Sequence, residues 1–150
     1  MYVTTQFSVF MVNKPGVLAQ VLREFAGAKV NVIAMTMMDS AEHGVMRVVF
    51  SNSEKARKIL NKINMPFNET DVLCVNLANR AGAFAAVAEK LAKNHINISY
   101  AYCTAGAKGG RTTGVLKVAN VQKAMALLHK KSKKATKSQA KIRSSHSRKM

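Results

Sequence analysis

The sequence is poor in cysteine and has no long hydrophobic run. Its two cysteines, Cys74 and Cys103, fall in predicted strands in different halves of the chain. The N-terminus lacks a secretory signal, so we expect buried free thiols in a reducing cytoplasm, with a disulfide as the lesser alternative. No apolar run is long enough to span a bilayer, so we expect no membrane partner. These absences predict a cytoplasmic protein.

The chain also lacks the motifs of common catalytic and cofactor sites. Its four histidines show no ligand spacing with one another or with the cysteines. There is no nucleophile elbow, no P-loop and no dinucleotide fingerprint. Gly106, Gly109 and Gly110 fall in a predicted hairpin rather than before a helix, which argues against a phosphate loop. We therefore predict that the protein is not an enzyme and uses no cofactor and no metal.

Acidic residues are scarce, because 24 Lys and Arg face only 7 Asp and Glu, which gives a net charge of +17. Residues 130–150 hold nine of these bases, no acid and a single branched apolar residue, Ile142. Such a segment cannot bury enough surface to offset its ordering entropy, so we expect a disordered basic tail at residues 132–150. Lysine-rich segments bind nucleic acid non-specifically, with strong salt dependence. The alternative is that the segment only makes the protein more soluble. A nucleic-acid-associated protein acting through residues 130–150 is therefore our alternative function.

What the chain does contain is an internal repeat. Residues 7–18 read FSVFMVNKPGVL, and residues 73–84, which lie 66 positions later, read LCVNLANRAGAF. In both copies an alternating apolar run is followed by Asn, a basic residue, a small or cyclic residue, Gly and a helical apolar pattern. Past the middle of each copy the offset becomes 68. A repeat of this length is one supersecondary unit used twice.

Each copy predicts the order strand, helix, strand, strand, helix. Asn52 or Ser53 in the first copy, and Asn120 in the second, are suitable N-caps for the last helix. A short strand at residues 67–70 would complete the first copy as βαββαβ, the ferredoxin-like plan of an antiparallel sheet with helices on one face. We therefore predict an α+β fold of two such units packed as one body: unit one at residues 1–70 and unit two at residues 71–131.

The end of unit two departs from this plan. By the 68-residue offset its final strand should lie near residues 133–138, where the sequence reads KKATKS. That is a poor strand sequence, so we expect unit two to end with a weak final strand or with none. A sheet edge left open in this way would be covered by another subunit, which predicts a homodimer.

The two strand-to-helix turns, at residues 13–16 and 79–82, are the main candidate sites. A helix N-terminus leaves N–H groups unpaired and carries partial positive charge, which suits a carboxylate or a phosphate. The glycine that ends each turn would let a ligand approach the backbone. Asn13 and Asn79 are expected either to cap the helix or to offer an amide to a ligand. The alternative is that Asn-x-x-Gly is only a turn, which duplication has copied.

These motifs resemble those of tandem ACT domains, small regulatory modules that bind amino acids. The resemblance covers roughly residues 3–130, and it is specific in the first copy, Asn-Lys-Pro-Gly-Val-Leu. It is looser in the second copy, where Ala81 replaces the proline and Phe84 replaces the leucine. The resemblance implies two units packed side by side into an eight-stranded sheet. It also implies an amino acid held between this turn of one unit and the second strand of its neighbour.

The resemblance assigns a free amino acid, or a similar small carboxylate, to both turns and to walls on the second strands. The residues implied are Asn13, Lys14, Pro15, Gly16, Val17, Leu18, Asn79, Arg80, Ala81, Gly82, Ala83 and Phe84, with Met35, Tyr100 and Tyr102 as walls. The tyrosines are explained equally well by the preference of aromatic residues for strands. If only one site binds, we predict the turn at Asn13, closed by the second strand of the other unit.

Overall fold

A computed structural model describes residues 1–38, 43–104 and 110–129 of the chain. Within these residues there are six strands: β1 (Tyr2–Val12), β2 (Val32–Met38), β3 (His43–Phe50), β4 (Phe67–Ala78), β5 (Ile98–Cys103) and β6 (Arg111–Val118). The helices are α1 (Val17–Gly27), α2 (Ser53–Lys62), α3 (Ala83–Lys93) and α4 at residues 121–129. The order predicted for each copy is therefore confirmed. The basic tail at residues 132–150 and the weak strand at residues 133–138 lie outside the described residues.

Side-chain caps start the second helix of each unit, as the sequence predicts. The Asn52 side chain accepts a hydrogen bond from the backbone N–H of Lys55 (2.9 Å) at the start of α2. Asn120 accepts from the backbone N–H of Lys123 (2.9 Å) in the same way before α4. Each cap satisfies one of the N–H groups that a helix start leaves unpaired. No helix among the described residues is long and apolar enough to cross a membrane.

The strands form one antiparallel sheet in the order β2-β3-β1-β4-β6-β5. Two long strands, β1 and β4, lie at its centre, and each belongs to both units. The start of β4 pairs with residues 6–9 of β1 and is the final strand of unit one, and β4 then continues as the first strand of unit two. Residues 2–5 of β1 pair with residues 71–74, so the start of β1 holds the place of a final strand beside unit two. The described sheet therefore has six strands, not the eight expected, because two strands each serve twice.

Both pairs of helices cover the same face of this sheet, which confirms the ferredoxin-like plan. In unit one Phe7 and Phe50 pack with Phe25 of α1, whose ring stacks on Phe50 with centroids 4.1 Å apart. Leu73 and Leu116 pack with Leu91 of α3 in unit two. The register pairs Val3 with Leu73 and Val9 with Phe67, so the two cores lie on one side of β1 and β4. Burial of these two apolar cores is the main favourable term in folding.

The helix-free face of the sheet is also partly buried, because the sheet curls. The edge strands β2 and β5 come within 8 Å of each other, Cα to Cα. A third apolar cluster fills the space between them; it comprises Ala34, Val49, Val72, Cys74 and Val115, with Ile33 and Tyr102 against it. The apolar pattern of the second strands predicts that they are covered, and this holds for Ala34, which is buried. It fails for Met35, Met37 and Met38, which are 38%, 43% and 46% exposed.

The two cysteines lie on opposite faces of the sheet. Cys74 is 1% exposed in the cluster on the helix-free face, and burial raises the pKa of its thiol. Cys103 is exposed near the end of the edge strand β5. It pairs with Gly114 of β6, whereas Cys74 pairs with the next residue of β6, Val115. Because successive residues of a strand point to opposite faces, the two cysteines do so as well. Both thiols are free. The prediction of buried thiols is therefore right for Cys74 and wrong for Cys103, which lies on a strand at the edge of the sheet.

Candidate functional site

The turn between β1 and α1 leaves the start of the helix open. Gly16 is the N-cap residue, with φ 88° and ψ −18°, and as a glycine it has no side chain of its own to cap the helix. The backbone N–H of Val17 donates to the Lys14 carbonyl (3.3 Å), and the N–H of Gln20 donates to the Gly16 carbonyl (2.9 Å). No acidic residue lies in the first turn of the helix. The N-cap position is therefore Gly16 and not Asn13, which lies three residues earlier.

The turn between β4 and α3 has the same geometry. Gly82 is the N-cap residue, with φ 80° and ψ −8°, and like Gly16 it has no side chain of its own to cap the helix. The N–H of Ala83 donates to the Arg80 carbonyl (3.3 Å), which repeats the contact between Val17 and Lys14. The backbone N–H of Asn79 donates to the Gly110 carbonyl (2.9 Å). The repeat in the sequence is thus a repeat in backbone geometry.

Both glycines are required by the backbone and face open space. A positive φ near 80° to 90° is strained for any residue with a Cβ. A Cβ built on Gly16 or on Gly82 would meet no atom within 4 Å. The side of each turn where a side chain would otherwise stand is therefore accessible to a small molecule.

A surface depression of about 450 Å³ lies beside the first turn. Its lining combines the turn with the exposed face of α1: Pro15, Gly16, Val17, Gln20, Arg23 and Glu24. A cationic and an anionic side chain therefore lie along the same depression as the open helix N-terminus. At the equivalent positions of α3 the charges are exchanged, with Glu89 in place of Arg23 and Lys90 in place of Glu24. The two turns share a backbone but differ in their surroundings.

The structure does not bring the two turns together. Strands β1 and β4 are antiparallel, and each turn follows the C-terminal end of its strand. The residues of the first turn, 13–18, therefore lie at one end of the sheet, and residues 79–84 lie at the other. A ligand at one turn cannot contact the other.

The three wall residues expected from the second strands are also separated. Met35 pairs with Val48, whose side chain belongs to the unit-one core on the helix side of the sheet. Tyr102 pairs with Val115 and packs in the cluster on the helix-free face. Successive side chains of a strand point to opposite faces, so Tyr100 shares the face of Tyr102. Met35 therefore lies on the other side of the sheet from both tyrosines.

The two tyrosines bind a buried glutamine that sequence reasoning did not single out. Gln6 is fully buried; its amide Nε2 donates to the Tyr100 hydroxyl (2.7 Å), and the Tyr102 hydroxyl donates to its Oε1 (2.9 Å). The Arg47 guanidinium lies 3.9 Å from the centre of the Tyr100 ring. Burial raises the pKa of Tyr102 well above its usual value, so this hydroxyl stays protonated and keeps donating. We call these four residues the tyrosine clasp.

The tyrosine clasp joins the units but lies far from the first turn. Its members come from β1 and β3 of unit one and from β5 of unit two. Asn13 lies seven residues beyond Gln6, which is about 23 Å along extended chain at about 3.3 Å per residue. The sequence feature that could have revealed this hydrogen-bond network is Gln6, a polar residue in a run that is otherwise typical of a strand. Its partners could not be inferred because they depend on the curl of the sheet.

A family model and solved structures of other proteins match this chain. A family model described as an ACT domain pair matches residues 1–141. A crystal structure of a Bacteroides thetaiotaomicron protein is 30% identical, with 87% of this chain and 89% of that chain covered and a TM-score of 0.79. A comparison with curated protein sequences gives no match.

Two further structures share the fold at low identity. The regulatory subunit of aspartate kinase from Thermus thermophilus, in its ligand-free form, is 13% identical, with 87% and 97% coverage and a TM-score of 0.63. E. coli aspartokinase III in complex with lysine and aspartate is 15% identical, with a TM-score of 0.53. The match covers 85% of this chain and 31% of that enzyme. Among the described residues, no group of His, Cys, Asp and Glu could hold a metal ion.

Proposed function

The chain belongs to the ACT domain pair family, and from that membership we propose that it is a non-catalytic regulatory module that binds a free amino acid or a similar small carboxylate. The site is the turn before α1. One observation carries the proposal: a helix N-terminus whose N-cap residue is Gly16, open on the side where a Cβ would stand, lies in the same depression as Arg23 and Glu24. The complex of E. coli aspartokinase III supports the ligand class, since its structure was solved with lysine and aspartate.

The charges of this depression suit a zwitterion. Backbone N–H groups at a helix start carry partial positive charge and favour a carboxylate. Glu24 lies along the same depression and would receive the ammonium group of an amino acid, while Arg23 keeps the rim positive. Met35, Tyr100 and Tyr102 take no part in this site, because they lie elsewhere on the sheet.

A thermal-shift screen of the twenty amino acids at millimolar concentration tests this function. A ligand that binds only the folded state raises the melting temperature by mass action. We expect at least one amino acid to raise it, and its amide or decarboxylated analogue, which lacks the carboxylate, to have no effect. A folded sample that responds to none of the twenty would refute the proposal.

Replacing Gly16 by alanine should abolish the thermal shift, because the new Cβ stands where the ligand approaches. The substitution also forces a non-glycine residue to φ 88°, which should cost about 1–2 kcal/mol of stability. Gly82→Ala is a matched control, since Gly82 has φ 80° and equally open surroundings. We expect both variants to lose similar stability and only Gly16→Ala to lose the response. An undiminished response in Gly16→Ala would remove this turn from the site.

A homodimer through β2 forms part of the proposal. This strand lies at the edge of the sheet and carries Met35, Met37 and Met38, all more than a third exposed. An exposed apolar edge strand is a surface on which a second chain can pair. Light scattering should give a dimer mass for the wild type and a lower mass for Met37→Lys. A wild type that stays monomeric at the highest soluble concentration would exclude this dimer.

A further inference from the structure

The exposed methionines of this protein are concentrated on one strand. The chain has nine methionines. Among those that the structure describes, the ones that are more than a third exposed are Met35, Met37 and Met38, at 38%, 43% and 46%, and all three lie on β2. Met11 and Met46, by contrast, are 4% and 0% exposed and belong to the unit-one core. A reagent that attacks methionine sulfur from solvent therefore meets β2 first.

The fold does not require methionine at these three positions. By the 66-residue offset, their equivalents at the other edge of the sheet are Ala101, Cys103 and Thr104. The apolar clusters formed by the described residues do not include the three methionines either. Their thioethers can therefore change chemically while both cores stay packed.

Met38 already has a charged hydrogen-bond donor beside its sulfur atom. The sulfur accepts a hydrogen bond from a guanidinium N–H of Arg47 (2.8 Å), which lies on the neighbouring strand β3. A thioether is only a weak acceptor, whereas oxidation to the sulfoxide makes the side chain polar. Hydrogen bonds from an ionised donor are the stronger ones. The folded chain thus holds a suitable partner for the oxidised form of this side chain.

We propose that Met35, Met37 and Met38 form a methionine oxidation site, with a hydroperoxide as the oxidant. The thioether sulfur attacks one oxygen of the peroxide, and an S–O bond forms as the O–O bond breaks. The second oxygen leaves and takes up the proton of the first, which gives water or an alcohol. The sulfur loses two electrons and the peroxide gains them. A thiol-dependent reductase can reverse the change, with two thiols oxidised to a disulfide and water released.

Oxidation at this site would act on the homodimer through β2, and this consequence rests on that part of the proposed function. Sulfoxides are polar and disrupt interfaces rich in methionine. Burying them against a second copy costs free energy, so we expect oxidation to raise the dissociation constant of the dimer by about tenfold or more. Pairing should in turn shield the three thioethers, so their oxidation should slow as the protein concentration rises.

Peptide mass spectrometry of the full chain after brief treatment with hydrogen peroxide tests the site. The Cys103→Ser variant is used at low protein concentration, because the exposed thiol of Cys103 would compete for the peroxide. We expect sulfoxides on β2 to form several-fold faster than at the buried Met11 and Met46. In the urea-unfolded chain this difference should disappear. Equal rates on β2 and at the buried methionines of the folded chain would overturn the proposal.

Light scattering before and after the same treatment tests the consequence for the dimer. The matched control is the triple variant Met35→Leu, Met37→Leu, Met38→Leu, also with Cys103→Ser, because leucine keeps the apolar surface and has no sulfur. We expect the treated chain to become monomeric with an unchanged far-ultraviolet circular dichroism spectrum, and the treated leucine variant to stay dimeric.

Two outcomes would overturn this consequence: a treated chain that stays dimeric, and a leucine variant that dissociates in the same way. A chain that is already monomeric before treatment would refute the proposed homodimer, and the order of oxidation would still decide the site. Neither measurement depends on amino-acid binding at the first turn, so a failure of that part of the proposed function is seen separately, in the thermal-shift screen.

Discussion

Replacing Phe50 by alanine is expected to lower the free energy of unfolding by about 3–5 kcal/mol, the usual range for a buried Phe→Ala change. Phe50 is 2% exposed and stacks on Phe25 of α1, with ring centroids 4.1 Å apart and planes at 22°. It also contacts the Phe7 ring, with centroids 5.9 Å apart. One truncation therefore removes apolar area, leaves a cavity and breaks two ring contacts, one between α1 and β3 and one between β1 and β3.

Urea unfolding followed by far-ultraviolet circular dichroism measures this loss, since the chain has no tryptophan to report by fluorescence. Phe10→Ala is a matched control, because Phe10 lies in the same sheet but is 36% exposed. We expect the control to lose about 1 kcal/mol or less. Losses of equal size in the two variants would mean that the packing of α1 on β3 is not as described.

Replacing Gln6 by leucine should cost about 2–4 kcal/mol, because two tyrosine hydroxyls inside the curled sheet would lose their partner. Each buried polar group left unpaired costs about 1–3 kcal/mol, whereas removing every partner together is nearly neutral. The triple variant Gln6→Leu, Tyr100→Phe, Tyr102→Phe should therefore be more stable than Gln6→Leu alone. This sign reversal is specific to a closed hydrogen-bond network.

The same urea experiment measures the stability of the single and triple variants, with Gln20→Ala as the control. Gln20 is exposed on α1, so its truncation should change stability by less than about 0.5 kcal/mol. If the triple variant is less stable than Gln6→Leu, or if Gln6→Leu costs nothing, the tyrosine clasp does not hold β5 against unit one.

The periodicities of the sequence were enough to predict the two units, but not how the strands of one unit pair with those of the other. The alternation at Phe7, Val9 and Met11 predicted a core-facing strand, and these residues are buried. The pattern could not show that residues 2–5, ahead of this run, pair with unit two. That pairing depends on the long strand β4, whose two halves looked like separate strands because each belongs to a different unit.

The sequence predicted those parts of the site that are formed by residues close together in the chain. It did not predict contacts between residues on distant strands. Gly16 and Gly82, which were expected to let a ligand approach the backbone, occupy left-handed backbone and face open space. Asn13 was expected either to cap the helix or to offer an amide to a ligand, and the N-cap position falls at Gly16, three residues later. Tyr100 and Tyr102 were placed beside a turn by analogy. They bind Gln6 instead, because the twist and curl of a six-stranded sheet bring distant strands together in a way that no local pattern encodes.

The most direct test of amino-acid binding at the first turn is a titration of the 15N-labelled full chain with the twenty amino acids, read at individual amides. We predict that at least one of them, at millimolar concentration, shifts the amides of residues 16–20 and leaves those of residues 82–86 unchanged. The shifts should vanish in Gly16→Ala and persist in Gly82→Ala. Shifts confined to residues 82–86, or none near either turn for any of the twenty, would contradict the account.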